Sequence, residues 1–220
     1  MRARELKAAV GSRYRAVESR IGRAVFERGD FIDTAPRVKL QELGLKTEER
    51  HRYQASPWTA LPRALRVRDV RPHDVFLEYG CGKGRVVYQA AQRYPFRRVI
   101  GVDLAAELTV IAEENIRRNR DRLRCKDVEI VTADVMKYEP PDDVTHAYFY
   151  NPFGGHVFEH AIDALVRSVD RNPRTLTIIY VFPMLAEVIE RTGRFEHVRT
   201  SKGLRRRHAP SWVSVYRSLP

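Results

Sequence analysis

Three carboxylates stand where an apolar run gives way to a turn. Glu78 follows Val75-Phe76-Leu77, Asp103 follows Val99-Ile100-Gly101-Val102, and Asp134 lies just beyond Val128–Thr132. Asn151 closes a fourth run, Thr145–Tyr150, and leads into Pro152-Phe153-Gly154-Gly155. Short apolar runs of this kind suit strands buried on both faces of a parallel sheet. Open sheets of that class bind ligands at the carboxyl ends of their strands. A carboxylate ending the second strand can accept hydrogen bonds from both hydroxyls of a ribose, and Asp103 lies about 20 residues beyond a glycine cluster, as such an acid does. A solvated strand-end acid is the alternative.

The elements that must position these groups are legible around the first run. Asp74-Val-Phe-Leu-Glu-Tyr-Gly-Cys-Gly-Lys-Gly-Arg85 reads as strand, glycine-rich turn and helix start, with Val86, Val87, Ala90 and Ala91 lining one helical face. Glycines at 80, 82 and 84 tolerate positive φ and let a ligand approach the main chain. The dinucleotide fingerprint G-x-G-x-x-G would need a glycine where Arg85 stands, so a nicotinamide-dependent oxidoreductase is disfavoured. Glycine turns also serve packing alone, and that reading stays open here.

The pattern E-x-G-x-G-x-G resembles motif I of the class I S-adenosylmethionine (SAM)-dependent methyltransferases, and Asp103 and Asn151 fall where that family carries its ribose acid and its motif IV. The resemblance spans Tyr53 to the C-terminus and is strongest over Asp74–Phe153. It implies an α/β fold: a doubly wound, seven-stranded, mostly parallel sheet with the last strand antiparallel, here with an N-terminal helical extension. The implied cofactor is S-adenosyl-L-methionine, with S-adenosyl-L-homocysteine (SAH) as product. Glu78 would meet the methionine ammonium, main-chain groups near Gly80 and Gly82 the cofactor, Asp103 the ribose and Asp134 the adenine amine, although Asp134 also reads as a turn cap. The aromatic-rich segment before the first strand makes Tyr53, Trp58 and Thr59 candidates for a lid; the alternative is that Tyr53 and Trp58 staple N-terminal helices to the sheet.

At motif IV many amino-methylating members carry N/D-P-P-Y/F, in which carbonyls accept from the target nitrogen and the aromatic stacks on it. Asn151 and Pro152 are kept, while Phe153 occupies the second proline's slot. Asn151 is thus the candidate to orient the acceptor, with Tyr150 and Tyr148 lining its pocket. An amine must be uncharged when it attacks, and His156 and His160 are the nearby side chains that titrate near neutrality. Motif I and the N-terminal segment also resemble those of non-SET histone lysine methyltransferases, a likeness not carried over to the substrate.

The rest of the chain sets bounds. Its 220 residues suffice for one sizeable core, divided here into an extension or lid at 1–60 and a SAM-binding domain at 61–220. Residues Arg4–Phe26 repeat apolar side chains every three or four positions, an amphipathic helix. No apolar run approaches the ~20 residues of a membrane span, and no signal peptide is apparent. Cys81 and Cys125 have neither metal-ligand spacing nor a disulfide framework. The expected location is the cytoplasm, with no metal.

The net charge of +12 is compatible with a nucleic-acid partner. Only 7 of the 40 basic residues are lysine, however, and arginine is scattered throughout, which also fits a solvated surface. The densest basic cluster, Lys202–His208, reads as a hairpin tip between two antiparallel strands. The sequence thus predicts methyl transfer to an N or O atom of an unidentified small molecule, peptide or protein side chain; the alternative is a nucleic-acid-binding module or RNA/DNA methyltransferase retaining the SAM pocket.

Overall fold

The computed structural model describes residues 32–34, 55–201 and 212–219. The helix expected over 4–26, Tyr53 and the basic cluster at 202–208 lie outside the described residues.

Among the described residues, the chain runs α1 (Ala60–Ala64), β1 (Val75–Tyr79), α2 (Arg85–Arg93), β2 (Arg98–Asp103), α3 (Ala106–Arg118), β3 (Val128–Thr132), β4 (His146–Tyr150), α4 (Gly155–Arg171), β5 (Thr177–Val181), α5 (Ala186–Arg191), β6 (Phe195–Ser201) and β7 (Val213–Ser218). One sheet holds the strands in the order β3-β2-β1-β4-β5-β7-β6. β7 runs antiparallel to both β5 and β6, while β1 to β5 pair in parallel. The expected α/β fold is therefore present, with its last strand inserted before the edge strand rather than added outside it.

The apolar runs become strands because both faces are covered. Odd positions of β1 (Val75, Leu77, Tyr79) pack with Phe149, Phe158, Ile162 and Leu165 on the α4 side. Phe76, Val99, Tyr148 and Ile179 pack with Val86, Val87 and Ala90 on the α2 side. β3, at one edge, has no fully buried residue.

Helix α2 departs from the one-sided pattern its sequence predicts: Arg85 through Ala91 are all buried. The cause is the segment before β1, which covers the helix's outer face. Gln89 Nε2 donates to the Trp58 carbonyl at 2.7 Å, and the Tyr94 hydroxyl donates to the Leu65 carbonyl at 3.0 Å. Periodicity reports how a helix meets the sheet, not what later folds over its back.

Candidate functional site

The order of β2-β1-β4 reverses the direction of winding at β1 and β4, and the loops leaving these strands converge there, as open sheets require of a ligand crevice. The glycine turn is clipped to the neighbouring strand: the N–H groups of Gly80 and Cys81 both donate to the Val102 carbonyl, at 2.8 and 3.0 Å. Gly80, Gly82 and Gly84 all have positive φ, at 72°, 52° and 75°. A Cβ added to Gly80 would lie 2.3 Å from Pro152 Cβ. The turn after β1 and the Asn151-Pro152 turn after β4 are therefore in contact, which no local pattern announces.

Asp103 joins this assembly from β2. One carboxylate oxygen accepts the Gly82 N–H at 2.8 Å and the other accepts the Ala105 N–H at 2.9 Å. A carboxylate has about four acceptor positions, so two N–H donors leave capacity for a pair of hydroxyls. Burial pushes the Asp103 carboxyl above its ordinary value, and the N–H groups of Ala105, Gly82 and Leu104 pull it back toward ionisation.

Glu78 is more deeply placed, 4% exposed. Its register partner on β2 is Gly101, where a Cβ would meet Val87 Cγ2 at 2.6 Å. The missing side chain lets α2 descend onto the sheet, and Glu78 Oε2 then accepts the Val87 N–H at 3.1 Å. Val87 is in the first turn of α2, whose N–H groups have no partner within the helix, so Glu78 caps α2 from the sheet. Burial raises its pKa well above the ordinary 4.5; the Val87 N–H opposes this, the charge of Asp103 adds to it and Arg85 opposes it. Glu78→Leu should cost about 1–2 kcal/mol of stability by removing the cap, whereas Glu78→Gln keeps an acceptor and should unfold at or above the wild-type urea midpoint. If the negative charge also meets a cofactor ammonium, the glutamine variant will bind SAH more weakly in calorimetry despite that intact fold.

Asp134 ends the third strand's turn: the Ala133 N–H donates to the Asp103 carbonyl at 2.9 Å, and Asp134 Oδ1 accepts the Met136 N–H at 3.1 Å. The three acids are thus gathered along adjacent strand ends, with Asp134 also serving as the turn cap that its sequence allows.

On the β4 side, Asn151 adopts φ 41°, an uncommon value outside glycine, and Phe182 at the end of β5 adopts φ 56°. Their strands are neighbours, with Tyr150 opposite Val181. The Tyr180 hydroxyl lies 3.4 Å from Asn151 Oδ1 and 3.4 Å from the Leu185 N–H, which donates to it. Left-handed backbone at two such positions is a form of strain concentrated at functional sites. Neither Tyr180 nor Phe182 was singled out by sequence; Phe182 precedes Pro183, a context that favours extended backbone, so the sequence signal there points the wrong way.

The lid reading of Trp58 gives way to the staple that its sequence also allowed. Trp58 is 1% exposed, part of the core, with the Arg85 guanidinium 5.1 Å from its ring centre. With no open face it is a staple between the N-terminal segment and α2, not a lid. Phe153, in the second proline's slot, is also buried and meets Tyr79 and Phe149 edge-on. Thr59 is the N-terminal cap position of α1, with no capping bond from its side chain. Tyr150 is half-buried at the end of β4, His156 exposed in the first turn of α4 and His160 half-buried one turn on.

Among the described residues no group of three or more His, Cys, Asp or Glu is arranged to hold a metal ion, and no helix is long and apolar enough to cross a membrane.

Comparison with known proteins agrees with this geometry. Residues 76–174 match the family described as "Methyltransferase domain". A protein-lysine N-methyltransferase of Saccharolobus islandicus is 30% identical over 67 residues, 30% of this chain and 42% of that protein, so the match spans less than half of the relative's length. Among solved structures, a SAM-dependent methyltransferase of Methanosarcina mazei superposes with TM-score 0.53 at 14% identity, covering 68% of this chain and 94% of the other. An rRNA methylase of Streptococcus thermophilus gives 0.50 at 13%, covering 70% and 92%. At these identities the two structures speak to the fold alone. Residues 76–174 thus carry a methyltransferase domain of the class I, S-adenosylmethionine-dependent kind.

Proposed function

We propose that the protein transfers a methyl group from SAM to an amine nitrogen of a protein side chain, with lysine as the first acceptor to test. The observation that carries this reading is the contact of Gly80 with Pro152. It sets the cofactor turn directly against Asn151, with Asp103 bonded to the same turn.

When bound, SAM supplies an electrophilic methyl group on a sulfonium, a reaction that needs positioning and exclusion of water more than covalent help. The chain's residues divide that work. Asp103 accepts the ribose hydroxyls, Asp134 accepts from the adenine amine, and Glu78 faces the methionine ammonium, whose positive charge favours the ionised carboxylate against burial. The main chain at Gly80 and Gly82 lines the approach. Asn151 Oδ1 accepts a hydrogen bond from the acceptor nitrogen and aims its lone pair. Tyr150, half-buried beside it, helps desolvate the acceptor, which favours the uncharged amine. His156, at the solvent rim, is the candidate to take up a released proton.

The choice of a lysine side chain is supported by the Saccharolobus relative, itself named for that acceptor. The charge of +12 supports RNA as the second reading. A lysate given methyl-labelled SAM and split by protease and ribonuclease decides between them: protease-sensitive label supports the first reading and ribonuclease-sensitive label replaces it. Asn151→Ala should leave SAH affinity within about twofold while slowing turnover by roughly 10²-fold, the scale of losing one oriented polar group at a reacting centre. Equal turnover would remove Asn151 from the site.

A further inference from the structure

Lys83 and Arg85 flank Gly84 in the cofactor turn, and both are buried, Lys83 at 4% exposure. Burying such charges is costly unless each is paired and hydrogen-bonded. Each finds partners in a segment some fifty residues upstream, and Arg85 one more at Ser56. Lys83 Nζ lies 3.3 Å from both carboxylate oxygens of Asp33. Arg85 Nε and Nη2 donate to Thr34 Oγ1 at 2.9 and 2.7 Å, Nη2 to the Thr34 carbonyl at 3.3 Å, and Nη1 to the Ser56 carbonyl at 3.0 Å.

Asn115, buried on α3, joins the two stretches a second way. Its Oδ1 accepts the Asp33 N–H at 2.9 Å, and its Nδ2 donates to the Asp33 carbonyl at 3.1 Å and to the Lys83 carbonyl at 2.9 Å. One amide therefore reads the backbone of the upstream segment and the backbone of the glycine turn together. Gly84 in that turn holds φ 75°, and a Cβ there would reach Ala112 Cβ at 3.0 Å, so the turn is pressed closely against α3.

We propose that Asp33 and Thr34 are positioning residues of the cofactor site: through Lys83, Asn115 and Arg85 they fix the glycine turn, so that cofactor affinity is set in part by residues outside the matched domain. The proposal rests on the reading that this turn holds SAM. Removing the Thr34 hydroxyl leaves two guanidinium donors of a buried Arg85 without that acceptor, and the cheapest relief is to move Arg85 and the turn with it. Neutralising Asp33 to asparagine leaves the buried Lys83 ammonium an uncharged amide oxygen in place of a carboxylate, a weaker partner.

Calorimetric titration of the full chain with SAH tests both layers. Wild type failing to bind SAH overturns the cofactor reading itself. With wild type binding, Thr34→Val and Asp33→Asn are each expected to weaken SAH about tenfold, the scale of a lost hydrogen bond to a charged group. Thr34→Ser, which restores the hydroxyl, should return the affinity to within about twofold of wild type. In turnover, once an acceptor is found, the two variants should raise KM for SAM and leave KM for the acceptor unchanged. Lowered thermal midpoints with SAH affinity unchanged would show that these bonds serve stability alone and would overturn the proposal. Unchanged affinity and unchanged midpoints would overturn it equally.

Discussion

Gly80→Ala should abolish cofactor binding and lower stability by roughly 2–4 kcal/mol, the sum of a left-handed backbone imposed on an L-residue and of overpacking. The two contributions are separable in this molecule. Gly80 sits at φ 72° and its added Cβ would lie 2.3 Å from Pro152 Cβ, well inside contact distance. Gly193 sits at φ 63° with nothing within 4 Å of its added Cβ. Gly193→Ala should therefore show the backbone cost by itself, about 1 kcal/mol in urea unfolding. Any excess for Gly80→Ala reports the contact between the two turns. Relief of the overlap must push Pro152, and Asn151 with it, away from the glycine turn. Displacement on the scale of an ångström at a reacting centre costs on the order of 10²-fold in rate. Equal stability losses for the two variants would show that the turns are not in contact in solution.

For Asp103→Ala the effect should fall on affinity: SAH binding weakens by about 1–3 kcal/mol, as expected when a charged acceptor of hydrogen bonds is removed. The N–H groups of Gly82 and Ala105 are deprived of their acceptor at the same time, so the turn loosens while the ribose hydroxyls go unpaired. An affinity unchanged in calorimetry would remove Asp103 from the site. The acid also makes a pH dependence. Burial raises its pKa above the ordinary 3.8 in the free protein, whereas hydroxyl donors favour the charged form and should lower it again on binding. SAH affinity is then expected to fall as pH drops through the raised value, with proton release on binding. The sign for folding is the opposite one. A carboxyl whose folded pKa is raised contributes stability that is fully present below its unfolded pKa and lost as pH rises through the folded value. Asp103→Asn should flatten the affinity profile; a profile just as steep would assign the titration to another group.

How much of this was legible follows from the range of each signal. The strand-end positions of Glu78, Asp103 and Asn151 were legible because they are written in a local alternation of apolar run and turn. The fold class was equally local, since each strand of the parallel core is a short apolar block followed by a helical one. The choice between lid and staple for Trp58 was not legible: an aromatic reads the same whether it faces a ligand or a core, and the structure buries it. The strain at Phe182 was hidden because its neighbour Pro183 argues for extended backbone.

What the amino-acid sequence by itself determined was the order of elements, the glycine turn and the acids that end the strands, because these depend on neighbours within a few positions. Only the tertiary structure decided that Gly80 meets Pro152, that Gly101 admits α2 close enough for Glu78 to cap it, and that Asp33 and Thr34 supply the partners of Lys83 and Arg85. Each of these depends on residues tens of positions apart in the chain. Whether such residues meet is settled by the packing of the whole sheet and its covering helices, and that packing leaves no trace in the identity of any one of them alone.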